Sequence, residues 1–326
     1  MKMGALFSYS SDFEESAAYL SGLGYKHWGI TVGGTNGIPY GRAEELLADP
    51  SRIRAMKETL KKHDISLSGF NTHANHVHPK KELGDRYTKD LEHTIRLAEA
   101  FGLNHITTFS GCPGETPRGE YPNFVVSPYP DDYYEVYEYQ WNEVLIPYWT
   151  RMARFAIEHG VTEICLEMYP GFSVYNPESL LKLRKSAGEV IGACFDPSHL
   201  AYLGIHCPLA IRHLGKAIYE FHCKDCFVDV DNVRLNGIID PKPHKFRKDR
   251  AWIHAALGYG HDELYWKDIL RNLLMIGYKG VVHVENDDGL MTHREGFEKG
   301  TKFLKDILIQ EQSSGNWWDH KDQKES

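Results

Sequence analysis

The chain has 326 residues, 42% hydrophobic and 25% charged, an ordinary globular composition with ample apolar material for a core. Its net charge of −8 argues against a partner that presents a nucleic-acid phosphate backbone. No run of about 18 apolar residues offers a membrane span, and the opening "MKMGALFSYSSDFEES" lacks the long apolar core of a signal peptide. The six cysteines are scattered, several of them inside apolar strand-like runs, as expected for free buried thiols in a reducing compartment. Cys223 and Cys226 form one CxxC, but no second pair completes a zinc knuckle. A cytoplasmic protein is expected.

Short β-like runs recur along the chain, each followed by a segment of helical period. "MGALFSYS" leads into "EESAAYLSGLG". "KHWGITVGG" leads into "AEELLADPSRIRAMKETLKKHD", and "ISLSGFNTHAN" into "KDLEHTIRLAEAFG". "NHITTFSGC" is followed by a long loop and then by "NEVLIPYWTRMARFAIEHG". "VTEICLEMYP" precedes "PESLLKLRKSAG", and "VIGACFDPS" precedes "CPLAIRHLG". "AIYEFHCKD" is followed by a second long loop and "WKDILRNLLMIG". "GVVHVENDD" precedes "REGFEKGTKFLKDILIQ". Glycines at 24, 102, 160, 188 and 277 close helices before the next strand. Strands alternating with helices predict parallel strands buried on both faces, and eight such units predict a closed (β/α)8 TIM barrel over residues 1–310. No GxGxxG follows a strand, so a doubly wound open sheet is second choice. The tail 311–326 is polar except for Trp317 and Trp318, which are expected to dock on the barrel or on another subunit.

Two connections exceed what a scaffold needs, 111–140 and 226–257. Both follow strands, so both belong at the C-terminal face, where such barrels keep their active sites. The first holds Tyr121, Phe124, Tyr129, Tyr133, Tyr134, Tyr137 and Tyr139 and runs into Trp141. Such side chains suit an aromatic wall that reads substrate size, or else packing against the barrel or a subunit interface.

Polar residues interrupt or end the last apolar runs. Glu167 lies in "LEMYP", Asp196 in "FDPSH", His222 in "HCKD" and Glu285 in "VEND". Asp196 alone reads as a helix cap with Pro197 at the first helical position. Together the four read differently. Consecutive barrel strands are neighbours, so these side chains gather on one half of one rim. Three close carboxylates repel and are costly to desolvate, and a divalent cation resolves the conflict. Three oxygens and one imidazole suit Mn²⁺ first, with Mg²⁺, Co²⁺ or Zn²⁺ also compatible.

Those four motifs resemble the signature of the sugar isomerase/epimerase family with the xylose-isomerase-like TIM barrel, and the likeness extends over nearly the whole chain. The resemblance implies a metal held by Glu167, Asp196, His222 and Glu285. It implies that Glu167 and Glu285 remove and return the proton, and that His199 contacts substrate beside the metal. The expected reaction is epimerisation or isomerisation of a keto sugar or keto-glycoside, by proton abstraction next to a carbonyl and through an enediolate. His73, nearest its strand end among His73, His76 and His78, is an expected substrate contact, as is Lys224; Trp141 reads either as core packing or as a substrate contact that stacks on a sugar ring or aglycone. Asp225 is expected to brace the rim, while His261 and Asp262 read as a turn and helix start.

The chain is also similar to the catalytic subunits of bacterial C-glycoside deglycosidases, carbon–carbon lyases that act on 3-keto C-glycosides with a small second subunit. On the first reading the chain is expected to form a homo-oligomer; on this second one, a hetero-oligomer. The superfamily includes apurinic-site endonucleases with three zinc ions. Ser110 stands where a further His is wanted, and "CFVDVDNVRLN" lacks a D-x-H, so a trinuclear centre is not expected. A non-catalytic sugar-binding barrel sits poorly with an intact Glu167 and Glu285 pair. No nucleic-acid or membrane partner is expected.

Overall fold

In a computed structural model that describes residues 1–311, eight parallel strands close on themselves. They are β1 (Lys2–Ala5), β2 (His27–Thr31), β3 (Ser66–Asn71), β4 (His105–Thr108), β5 (Glu163–Glu167), β6 (Ile191–Phe195), β7 (Ile218–Cys223) and β10 (Val281–Val284). Each pairs with its neighbours in chain order, and β10 closes the ring between β7 and β1. The expected barrel is therefore present. Because all eight strands run the same way, whatever follows each strand's last residue arrives at one rim. The expected tail, with Trp317 and Trp318, lies outside the described residues.

The helices coat the barrel as α1 (Phe13–Gly22), α2 (Ala43–Ala48), α3 (Pro50–Lys62), α4 (Lys81–Phe101), α5 (Asp132–Tyr139), α6 (Ile146–Glu158), α7 (Pro177–Ala187), α8 (Pro197–Leu200), α9 (Cys207–Leu214), α10 (Val230–Asn236), α11 (Glu263–Met275) and α12 (His293–Ile307). Their starts follow from local chemistry. Asp49, Asn176 and Asp196 each accept a first-turn N–H just before a proline that has no amide to satisfy. Their ends follow too: Gly102 closes α4 with φ 73°, a left-handed turn that costs a side-chain-bearing residue more. Strand residues pointing outward and helix residues pointing inward form the main core. Phe195 and Phe221, stacked at 5.6 Å on adjacent strands, are fully buried within it. Trp149 of α6 is also fully buried and donates its indole N–H to the Ser110 carbonyl at 2.9 Å, tying the helix layer to the end of β4. Truncating such a side chain typically costs about 3–5 kcal/mol.

Three segments differ from the reading of the sequence. The helix expected over 43–64 breaks into α2 and α3, because Pro50 cannot continue α2 and Asp49 caps a new start. The connection 111–140 is irregular only to about residue 131. From Asp132 it is helical, passing through a π-helical stretch at Gln140–Leu145 into α6. Pro147 follows that stretch and has no N–H to give to the Glu143 carbonyl, so the widened turn sits where a regular ladder would miss a bond. The 226–257 connection is not a plain loop. Its ends pair as an antiparallel ribbon, β8 (Asp225–Val228) with β9 (Trp252–Ala255), and α10 lies between them. Trp252 stacks on Tyr202 at 3.9 Å and, with Cys226 and Ala251, makes a small second core that anchors the ribbon beside β6 and β7.

Candidate metal centre

Four strand ends converge on one point at the rim. Glu167 is the last residue of β5, Asp196 directly follows β6, His222 lies near the end of β7 and Glu285 directly follows β10. One ligand atom from each lies within 4.8 Å of those of the other three. Glu167, Asp196 and His222 are buried, and the Glu285 side chain keeps 22% of its exposure toward the mouth. His222 Nδ1 is 2.9 Å from Glu285 Oε2 and 4.0 Å from Glu167 Oε1.

Asp196 serves two ends at once. Its Oδ1 accepts the Ser198 N–H at 2.8 Å and caps α8, as the bland reading of the sequence has it. Its Oδ2 is turned into the cluster. That oxygen, His222 Nδ1 and Glu285 Oε2 are all buried, and none completes a well-aligned hydrogen bond among the described residues, although Lys224 Nζ lies within ion-pair distance of Asp196 Oδ2 and His222 Nδ1 within that distance of Glu285 Oε2. Buried polar atoms are nearly always satisfied. Three such atoms crowded together, two of them carboxylate oxygens, fit a divalent cation at their centre. The donor set of three carboxylates and an imidazole suits Mn²⁺ or Mg²⁺ by its oxygens and tolerates Zn²⁺ or Co²⁺ by its nitrogen.

The rest of the expected site gathers around these four. His73 Nε2 lies 2.7 Å from Glu167 Oε2, and His199 Nε2 lies 2.8 Å from Glu167 Oε1 and 3.2 Å from Asp196 Oδ2. Glu167 is thus held at both oxygens. Lys224 places its ammonium 3.0 Å from both Asp196 Oδ2 and Glu285 Oε1, and 3.3 Å from Asp287 Oδ2. Burial raises the Glu167 carboxyl, but the charge of His73 and the hydrogen bonds from His199 and His73 outweigh it, leaving the group well below the usual range. Burial likewise opposes ionisation of Glu285, and the charges of Lys224 and His222 overcome it. Asp196 goes the other way. Burial lifts it, helped by the neighbouring Glu167 and Glu285 charges, against Lys224 and His199.

Trp141 lies elsewhere. It is 2% exposed, packed beside Tyr137 with Lys182 Nζ 4.3 Å over its ring, and it belongs to the main core. Helix α5 and the π-helical stretch turn it inward toward α7, so core packing holds and the expected substrate contact does not. Tyr121, Tyr129, Tyr133 and Tyr134 of the same connection are exposed. His76 is structural. Its ring bonds the Tyr87 carbonyl and the Thr108 hydroxyl, and burial lowers its pKa to about 4. Asp225 braces the rim, accepting backbone N–H groups from Gly258, Gly260 and His261.

A cavity of about 440 Å³ opens beside the cluster, lined in part by His73, His222, Glu285 and Asp287 with Asn36 and Asn71. A larger recess of about 560 Å³ lies against α4 and residues 113–117 and includes none of the four ligands, so its size carries no functional weight. Four neighbours of the site escaped the sequence reading. Asp287 follows Glu285 by two residues in "VENDD", and that spacing was a usable signal. Tyr169 lies edge-on to His199 at 4.3 Å, and Phe109 packs against His73 at 4.6 Å; both directly follow strand runs. His254, edge-on to His199 at 5.5 Å, comes from β9, inside a segment whose pairing has no clear signature in the sequence.

Comparison with known proteins agrees with this fold. The model of the xylose isomerase-like TIM barrel family matches residues 17–307. The uncharacterized protein YfiH of Bacillus subtilis (strain 168) is 31% identical over 300 residues, 91% of this chain and 96% of that protein. Among solved structures, a xylose isomerase-like TIM barrel protein from Mycobacterium smegmatis in complex with magnesium superposes with a TM-score of 0.60 at 19% identity, covering 91% of this chain and 89% of that one. D-psicose 3-epimerase with D-tagatose from Clostridium cellulolyticum H10 gives 0.61 at 14% identity, covering 94% and 99%. At those identities the structural likeness speaks for the fold.

Proposed function

The chain belongs to the xylose isomerase-like TIM barrel family, and from that premise we propose that it is a divalent-metal-dependent isomerase or epimerase of a keto sugar or keto-glycoside. The observation that carries the proposal is the buried cluster of Glu167, Asp196, His222 and Glu285, whose inward atoms on the last three complete no well-aligned hydrogen bond among the described residues, opening on a cavity of small-ligand size. Glu167, Asp196, His222 and Glu285 would hold the ion, with Mn²⁺ the first choice. When bound, such an ion supplies Lewis-acid polarisation of a substrate carbonyl and charge stabilisation of the enediolate.

The chain's own residues divide the remaining work. Glu285 is the carboxylate most open to the cavity, Lys224 and His222 hold it ionised, and with the carbonyl polarised by a bound ion it would take the proton next to that carbonyl. Glu167, fixed by His73 and His199, faces the same centre from β5 and is placed to return or remove the proton from another direction. His199 and Lys224 supply donors for substrate oxygens and offset the charge of three carboxylates. Tyr169 and Phe109 add apolar surface beside the two histidines.

Carbon–carbon cleavage of a C-glycoside is the second reading. It called for the aromatic side chains of 121–141 to meet an aglycone, and they do not line the cavity beside the cluster. On the first reading the chain works as a homo-oligomer on a keto sugar or keto-glycoside; the lyase would need a small second subunit. Incubating the protein and Mn²⁺ with a panel of ketohexoses and 3-keto-glycosides in D₂O tests the proposal. Deuterium is expected at one carbon next to the carbonyl of the true substrate. Turnover without exchange, and without a primary isotope effect from substrate deuterated at that carbon, would contradict proton abstraction.

A further inference from the structure

Glu220 sits where a barrel has no packing use for a carboxylate. It lies inside β7, 2% exposed, on the same inward face as His222 two residues later. Barrel interiors are ordinarily filled by layers of apolar side chains, and a buried carboxylate is costly unless donors surround it. Here they do. Oε2 accepts from His105 Nε2 at 3.0 Å and from the Thr107 hydroxyl. Oε1 lies 3.2 Å from His283 Nδ1 and 3.3 Å from His222 Nε2. His222 therefore has an anion behind one ring nitrogen, while the other faces Glu285 and Glu167. The Cys194 sulfur also lies 3.3 Å from Nε2, but a thiol is a much weaker acceptor than a carboxylate.

We infer that Glu220 is a positioning residue for the metal centre: its buried carboxylate keeps the His222 proton on Nε2 and so presents the Nδ1 lone pair to the ion. The inference rests on the metal reading above. A carboxylate behind a ligating imidazole fixes its tautomer and orientation and raises its basicity. The donors around Glu220 come from β4, β7 and β10, so its place is set by the barrel itself and not by a mobile loop.

The test is Co²⁺ titration of the full chain after chelation, followed by visible absorption, for wild type, Glu220→Gln and His283→Gln. Glutamine keeps the shape of Glu220 and removes its charge in either orientation of the amide. His283→Gln disturbs the same interior layer but keeps an amide donor toward Glu220 Oε1, and His283 lies edge-on to His222 at 6.0 Å without a hydrogen bond to it among the described residues. Glu220→Gln is expected to bind Co²⁺ about 10–100-fold more weakly and with a changed spectrum, while His283→Gln stays close to wild type. Unchanged affinity and spectrum in Glu220→Gln, or equal loss in both variants, would overturn the inference and leave the metal reading standing. A wild type that takes up no Co²⁺ would overturn both. If Glu220→Gln does not fold, histidine ¹⁵N NMR of the Zn²⁺-loaded wild type decides. A downfield, slowly exchanging proton on His222 Nε2 is expected, and a proton on Nδ1 overturns the inference.

Discussion

Glu285 differs from its three companions in one respect that bears on chemistry: it is the ligand left partly open to the cavity. Glu167 is pinned by two imidazoles, Asp196 is committed at one oxygen to a helix cap, and His222 is enclosed. Of the four, Glu285 and His222 line the 440 Å³ cavity, and Glu285 is the more exposed. Replacing it by glutamine keeps the side chain's size and removes the base. The variant is expected to retain the wild-type circular dichroism spectrum and to lose proton exchange by roughly 10²–10⁴-fold, the range of a general base. Exchange at the wild-type rate in Glu285→Gln would move the base elsewhere.

The ribbon β8–β9 and the turn after it show how an element is held in place by one side chain. Asp225 begins β8, and its Oδ2 accepts the backbone N–H groups of Gly258, Gly260 and His261 and the indole N–H of Trp266. Oδ1 meets His261 Nδ1 at 2.7 Å. Gly260 passes so close to β8 that a Cβ there would come within 2.0 Å of the Cys226 carbonyl oxygen. Asp225→Ala would leave several donors unpaired at little solvent access. At about 1–3 kcal/mol per buried orphan, it is expected to lose roughly 3 kcal/mol or more in chemical denaturation. A loss under about 1 kcal/mol would mean that water replaces the carboxylate.

What the sequence made legible at this scale follows from locality. Strands, helix starts and closing glycines are set by neighbours in the chain, and they came out close to their observed bounds, as at Pro177 and Gly188. The four ligands were legible because a strand's last residue is a fixed place in a barrel. His254 was not, and Trp141 only as one of two readings. Their positions depend on a helix that begins ten residues earlier than its pattern suggested and on a ribbon paired across some two dozen residues.

Across the whole molecule, the barrel does one thing that no single motif does. It brings residues 167, 196, 222 and 285 within 4.8 Å although the chain separates the first from the last by more than a hundred positions. The cost of gathering three carboxylates falls on the apo cluster, where Lys224 and the neighbouring imidazoles balance the charge only in part. A bound cation relieves it, and removing one ligand should release the cation because an incomplete site holds hard divalent ions poorly. The central claim is therefore tested most directly by metal content. Wild type and His222→Ala, each loaded with Mn²⁺ and freed of excess by gel filtration, are compared by elemental analysis. One ion per wild-type chain and substantially less in His222→Ala are expected. No ion in the wild type, or equal loading of both, would contradict the assignment of Glu167, Asp196, His222 and Glu285 as the metal centre.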